Sequence, residues 1–323
     1  MHFSVSGVDV FPLIPPLVAL IVSSFTASAG ISGAFLLLPF QVSVLRFDSP
    51  AVSPTNLIYN IIAIPGGLYR YIKEKRMAWA LTWVVSVGTL PGVFVGAWIR
   101  IRYLPDPKAF KFFIGIVLLY LGYRIASDIF GWNRKTKDKN DILNKKFAKQ
   151  VADMKKANTG RITAGLPVDA VVKTKSFSLS KVEYEFWGET YSFNTISVFI
   201  LSLVVGLIGG IYGIGGGSII APFCVSVFAL PVYTVAGAAL AGTFITSIAG
   251  VIYYQILAFT AMPGSAVVSP DWLLGLLFGL GGIVGTYLGA YLQKFLPERL
   301  VKILLLSIVI FLSAMYIIQF IAK

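Results

Sequence analysis

Apolar residues dominate eight stretches of the chain, at roughly 11–45, 51–69, 78–99, 109–130, 194–230, 232–258, 271–292 and 300–321, with polar and basic residues gathered between them. A helix needs about 20 residues to cross the hydrocarbon core of a bilayer. Six stretches fit one crossing each, and this pattern predicts an all-α polytopic membrane protein. The stretches at 11–45 and 194–230 are too long for one crossing, and each is interrupted. The second carries Gly209, Gly210, Gly213, Gly215, Gly216 and Gly217, then Pro222. Each interior glycine costs a helix about 1 kcal/mol relative to alanine, so this density predicts a broken helix. A similar interruption spans 27–34, with Gly30, Ser32 and Gly33, and Pro39 follows. Irregular backbone at membrane depth survives only where it is buried in protein or lines a cavity. Matched breaks in two halves of an apolar chain are the best sequence pointer to a transporter's substrate site.

The halves repeat. The run from Pro39 to Val44 matches that from Pro222 to Val227, and at the same offset Gly30 falls on Gly213 and Gly33 on Gly216. Thr55 matches Thr243 after a short length difference. Trp79 then matches Trp272, Gly92 matches Gly285, Gly96 and Ala97 match Gly289 and Ala290, and Leu104 and Pro105 match Leu296 and Pro297. The ordered series implies a duplicated unit of about 120 residues. The expected organisation is a first transmembrane repeat at 1–130, a basic linker at 131–193, and a second transmembrane repeat at 194–323.

Charge fixes the expected topology. Only 13% of the 323 residues are charged, and the net charge of +13 comes from lysines and arginines in loops and at segment ends. Basic loops stay on the cytoplasmic side. That rule places 70–77, the linker and 293–302 inside, and 259–271, which has no basic residue, outside. Eight simple crossings cannot satisfy all of these. If each long stretch is a Gly/Pro-broken hairpin of two segments, every half has about five membrane segments. The repeats are then inverted and both termini face outward from the cell (inner) membrane. One loop, 100–108, carries Arg100, Arg102 and Lys108 to the outer side against the rule. Within the linker, 141–156 reads as a basic amphipathic helix for anionic lipid headgroups. The stretch 181–193 alternates about Gly188 and Glu189 as a β-hairpin.

The candidate chemistry is that of an anion site. A helix N-terminus exposes unpaired N–H groups and about half a positive charge, and glycine lets an oxyanion reach the backbone. The candidate substrate-binding residues are Ser32, Gly33, Thr55, Asn56, Gly213, Gly215, Gly216, Ser218 and Thr243, with Tyr212, Asn60 and Gln41 behind them. Each has a plainer reading: close helix packing for glycines, and back-bonding to the helix's own carbonyls for hydroxyls. Packing is the preferred reading for Gly92, Gly96, Gly285 and Gly289. Acidic residues sit near segment ends, which argues against carboxylate-mediated proton coupling and against cation transport. His2 is the single histidine and Cys224 the single cysteine. Histidine-based catalysis, multi-histidine metal sites and internal disulfides are therefore unavailable, and no enzyme activity, cofactor or nucleic-acid partner is expected.

The Gly-rich element at 213–218 followed by Pro222, the run Ala241, Gly242, Thr243, and the paired glycines at 92/96 and 285/289 resemble the TauE/SafE family of sulfite-exporter-type permeases. The resemblance covers both membrane halves and not the linker. The first-half copy is degenerate, with Ser32 and Ala34 where the second has Gly215 and Gly217. The resemblance implies export of sulfite, thiosulfate or a small organosulfonate. The alternatives are an anion channel, or a non-transporting scaffold or sensor acting through the linker. A homodimer through a small-residue face is a further expectation.

Overall fold

The computed structural model describes residues 1–28, 31–73, 75–130, 162–163, 166–167, 171–260, 267–292 and 298–322. The expected linker helix at 141–156 lies outside the described residues. Each half contributes five described helices. The first half gives α1 (Ile14–Ser28), α2 (Ala34–Ser43), α3 (Val52–Lys73), α4 (Trp79–Arg102) and α5 (Pro107–Phe130). The second gives α6 (Thr195–Tyr212), α7 (Ile220–Ser226), α8 (Val232–Thr260), α9 (Trp272–Leu292) and α10 (Glu298–Ile321). Six of them, α4, α5, α6, α8, α9 and α10, are long and apolar enough to cross a membrane. The chain is a polytopic, mostly helical membrane protein, as its apolar pattern requires. With 15 and 10 residues, α1 and α2 extend about 22 and 15 Å, short of the roughly 30 Å hydrocarbon thickness. The 7-residue α7 is shorter still.

Small residues set how the helices pack. Gly88, Gly92 and Gly96 of α4 press on Phe199–Ser202, Leu203–Leu207 and Leu207–Ile211 of α6 in rising order, so these helices run parallel. Gly281, Gly285 and Gly289 of α9 press on Pro16, Leu20 and Ser24 of α1 in the same way. A Cβ at Gly92 or Gly285 would collide with the backbone of the facing helix, so the close approach requires glycine there. The contacts between halves are reciprocal. The first helix of each half packs on the fourth of the other, the third helices meet each other, and so do the fifth. Leu57 meets Gly250 while Gly67 meets Leu240, so α3 and α8 run antiparallel. Gly115 meets Ile317 while Gly122 meets Ile310, so α5 and α10 are antiparallel as well.

These directions put the starts of α4, α6 and α8 at one end of the bundle. A three-stranded antiparallel sheet stands there, formed by Val172–Phe177, Lys181–Phe186 and Glu189–Asn194; shorter strand pairs occur at 2–9 and 162–167. The turn at Trp187 and Gly188 takes positive φ at both residues, 51° and 77°, matching the twist of a two-residue hairpin. Val172 N–H donates to Lys75 O at 3.0 Å, and Tyr184 and Thr234 hydroxyls meet at 2.9 Å. Burial drives the Tyr184 hydroxyl's pKa well above its ordinary value. The linker sheet is thus fastened to Lys75, before α4, and to the start of α8. At the opposite end Ser6 donates through N–H and Oγ to Asp271 Oδ2, at 3.2 and 2.8 Å. Asp271 Oδ1 caps α9 by accepting from Leu274 N–H at 3.0 Å.

Candidate functional site

The two chain breaks meet in the interior, and α3 ties them together. A helix that stops inside an apolar region leaves carbonyls without donors, and each must find one. Asn56 Nδ2 supplies both halves at once, donating to Ala34 O at 3.0 Å and to Gly213 O at 2.9 Å. Its Oδ1 accepts from Gln41 Nε2 at 3.1 Å. One turn on, Asn60 Nδ2 donates to Ile214 O at 3.0 Å, and its Oδ1 accepts from Ser32 Oγ at 2.8 Å. Ser53 Oγ donates to Ile211 O at 3.1 Å. Ser53, Asn56 and Asn60 are all fully buried.

Proline explains a third tie. Pro39 has no N–H to offer the carbonyl four residues back, Phe35 O. Tyr212 OH, at the end of α6, takes that place at 2.8 Å. The matched prolines are themselves gripped reciprocally. Tyr316 of α10 donates to Pro39 O at 3.2 Å, and Arg124 of α5 donates to Pro222 O at 3.3 Å.

Most of the expected site residues come together here. Gly213 and Gly215 take left-handed conformations, φ +81° and +75°, which side chains other than glycine adopt at a cost. Gly216 N–H donates to Thr246 Oγ1 at 3.0 Å. Ser218 Oγ donates to Ile214 O at 2.7 Å and lies 3.4 Å from Thr243 Oγ1, which donates to Ala239 O at 2.8 Å. Gly33 fits under the Tyr59 hydroxyl, which hydrogen-bonds Ser23 at 2.7 Å. Thr55 is the exception. Its hydroxyl donates to Ala51 O at 2.7 Å and accepts from Asp271 N–H at 2.8 Å, so it anchors the start of α9 rather than facing the breaks. Sitting on the first turn of α3, it points to the bundle end.

Sequence reasoning ranked Tyr212, Asn60 and Gln41 low, yet all three lie in the junction. It missed Thr26, Tyr59, Ser86, Thr89, Thr246 and Ser247. The available signal was spacing: Thr243, Thr246 and Ser247 share one face of α8, and Ser86 and Thr89 one face of α4. Three of these hydroxyls are unspent. Thr26 Oγ1, Ser86 Oγ and Ser247 Oγ are buried and have no hydrogen-bond partner among the described residues. Thr26 and Ser247 border the breaks, their hydroxyls 3.4 and 2.9 Å from where a Cβ would stand at Gly33 and Gly215, while Ser86 lies beside Gly242 of α8, which in turn faces Gly217 of the second break. The one buried carboxylate among the described residues, Asp271, is at the end of the bundle. No group of three or more His, Cys, Asp or Glu side chains suited to a metal occurs among the described residues. The junction thus offers neutral hydroxyl and backbone N–H groups able to donate hydrogen bonds.

Comparison with known proteins agrees with the polytopic membrane architecture. The sequence model described as sulfite exporter TauE/SafE matches residues 16–316. Over 263 residues the chain is 21% identical to the "Probable membrane transporter protein YunE" of Bacillus subtilis (strain 168), covering 81% of this chain and 79% of that protein. No solved structure matches the chain. Both membrane halves and both breaks fall inside the matched span, and the chain belongs to the sulfite exporter TauE/SafE family of membrane transporters.

Proposed function

We propose that this protein exports a small sulfur oxyanion (sulfite, thiosulfate or an organosulfonate) across the cell membrane. The anion is held where the two breaks meet, and two inverted repeats alternate access to it. The observation that carries this reading is the set of unspent hydroxyls, Thr26, Ser86 and Ser247, buried around breaks that Asn56 and Asn60 hold together. An unpaired buried donor costs about 1–3 kcal/mol, and an oxyanion with three or four acceptor oxygens offsets that for several donors at once. The antiparallel contacts of α3 with α8 and of α5 with α10 support the inverted relation of the halves. With the sheet end in the cytoplasm, as loop charge favours, the membrane potential drives an anion outward by about 2.3 kcal/mol per charge per 100 mV.

The test is radiolabelled sulfite and thiosulfate flux into proteoliposomes at imposed voltage, comparing wild type with Ser247→Ala and Ser86→Ala. Because these hydroxyls hold no structural hydrogen bond, both variants should be at least as stable as wild type in anion-free buffer. Flux should nevertheless fall severalfold. Unchanged flux in the double variant would remove the hydroxyls from the site, and no flux of any sulfur oxyanion by folded wild type would overturn the reading.

A further inference from the structure

Arg100 of α4 carries a charge that no described neighbour balances. It lies in the last turn of the helix, fully buried, against the rule that keeps basic residues on the cytoplasmic side. Its guanidinium lies over the Phe110 ring, 3.7 Å from the centroid, and Nη1 donates to Leu104 O. Nε and Nη2 are buried and have no partner among the described residues. No described acidic side chain forms an ion pair with it. A guanidinium does not shed its proton to escape this, as a lysine or histidine would. Burying a charge without a counter-ion is strongly unfavourable, so the site as it stands is incomplete.

The two idle nitrogens are those of one edge. Nε–H and Nη2–H point the same way from the planar group, the fork that takes two oxygens of a carboxylate, sulfonate, sulfite or phosphate. Phe110 covers one face and Leu104 O occupies the remaining nitrogen, which fixes the fork in place. We propose that Arg100 is a second oxyanion-binding site, distinct from the junction of the breaks and one helical turn beyond Gly96 on α4. Gly96 packs on Gly210 and Ile211 at the end of α6, and Tyr254, which donates to Gly210 O at 2.9 Å, lies within electrostatic reach of Arg100. The fork therefore stands between the second break and the bundle end that carries the 267–271 segment. In the sequence repeat, the offset of 193 that pairs Trp79 with Trp272 and Gly96 with Gly289 puts Gln293 opposite Arg100. The cation is thus one-sided. Given the export reading above, it forms a station between the junction and the outer face.

An oxyanion at this fork comes from one of two sources, a transported anion or the phosphate of a lipid headgroup. The test uses the full chain in maltoside detergent without phosphate or sulfate, as wild type, Arg100→Gln and Arg100→Lys. Sulfite titration is followed by thermal shift and calorimetry, and phosphatidylglycerol retention by native mass spectrometry. In anion-free buffer Arg100→Gln should unfold no earlier than wild type, since it removes an uncompensated charge; a clear loss of stability there would mark a merely structural arginine and overturn the proposal. Wild type should bind two sulfite ions and Arg100→Gln one, with Arg100→Lys weakened about tenfold because it keeps the charge and loses the fork. If the second equivalent is instead a phosphatidylglycerol lost only in Arg100→Gln, the same fork holds a headgroup. Sulfite binding and lipid retention both unchanged in Arg100→Gln would overturn the site. Unchanged sulfite affinity and lipid retention in Arg100→Lys would overturn it equally. Flux abolished by the Ser86 and Ser247 variants, with no effect of Arg100→Gln on binding, would leave the export reading standing and this site refuted. The converse pattern would leave the site standing without the export reading.

Discussion

The first chain break, between α1 and α2, packs against side chains, whereas the second, between α6 and α7, also packs against helix backbone at Gly213 and Gly217. Around Gly33 the nearest groups are the hydroxyls of Tyr59, Ser23 and Thr26. Ser32 then reaches Asn60 while accepting from Ala34 N–H at 3.3 Å. At the second break, Gly213 presses on the main chain of Ser53, and Gly217 on the main chain of Ala239 and Thr243. The positions match in sequence, yet Ala34 stands where the second half has Gly217. Repeats need not share a mechanism to share a shape. A hydroxyl can turn aside for a larger neighbour, but a packed helix backbone cannot, and that is why the first copy is free to be degenerate.

The contrast can be broken from both sides. The largest effect is expected for Gly217→Ala, whose Cβ would strike Ala239 O. Overpacking of this kind costs about 1–3 kcal/mol or more, and thermal unfolding in detergent should show a large drop. At the first break, Gly33→Ala meets side-chain hydroxyls alone, Tyr59 OH at 2.5 Å and Ser23 Oγ at 3.0 Å foremost. It should cost less, and adding Tyr59→Phe should recover most of the loss.

Next in size is Asn56→Leu, which strips a donor from Ala34 O and Gly213 O together. Gly213 O is then left without a donor, at a cost of about 1–3 kcal/mol, while Ala34 O keeps its helical partner. Asn60→Leu instead takes one of two donors from Ile214 O, which keeps Ser218 Oγ, and leaves Ser32 Oγ without its acceptor; the pair should be far from additive because Gln41, Asn56 and Asn60 share one network.

The smallest effect sharpens the picture most. Tyr212→Phe leaves Phe35 O unpaired and should cost about 1–2 kcal/mol. In a Pro39→Ala background the restored N–H can serve Phe35 O, so the same substitution should be nearly neutral. An equal loss in both backgrounds would mean that the hydroxyl does not stand in for the proline's missing donor.

Much of this architecture was legible beforehand because the bilayer leaves few choices. The helices, the two breaks and the hairpin from Lys181 to Asn194 follow from apolar length, glycine density and alternation. The packing role of Gly92, Gly96, Gly285 and Gly289 followed from small residues spaced four apart. The site was less legible. Thr55 matched Thr243 by position, but its hydroxyl turned to Asp271, 216 residues away. Ser86 and Ser247 carried no signal of their own in apolar helices, and Arg100 looked like a loop charge of awkward sign.

What the sequence by itself determined is whatever depends on local composition: where the chain is apolar enough to enter the membrane, and where glycine and proline stop a helix. Only the tertiary structure decided which freed carbonyl meets which donor and which hydroxyls and guanidinium nitrogens are left without one. The physical reason is that hydrogen-bond satisfaction in a buried site is a property of pairs. A residue's capacity is written in the chain, but whether that capacity is spent depends on neighbours that folding brings from the other half.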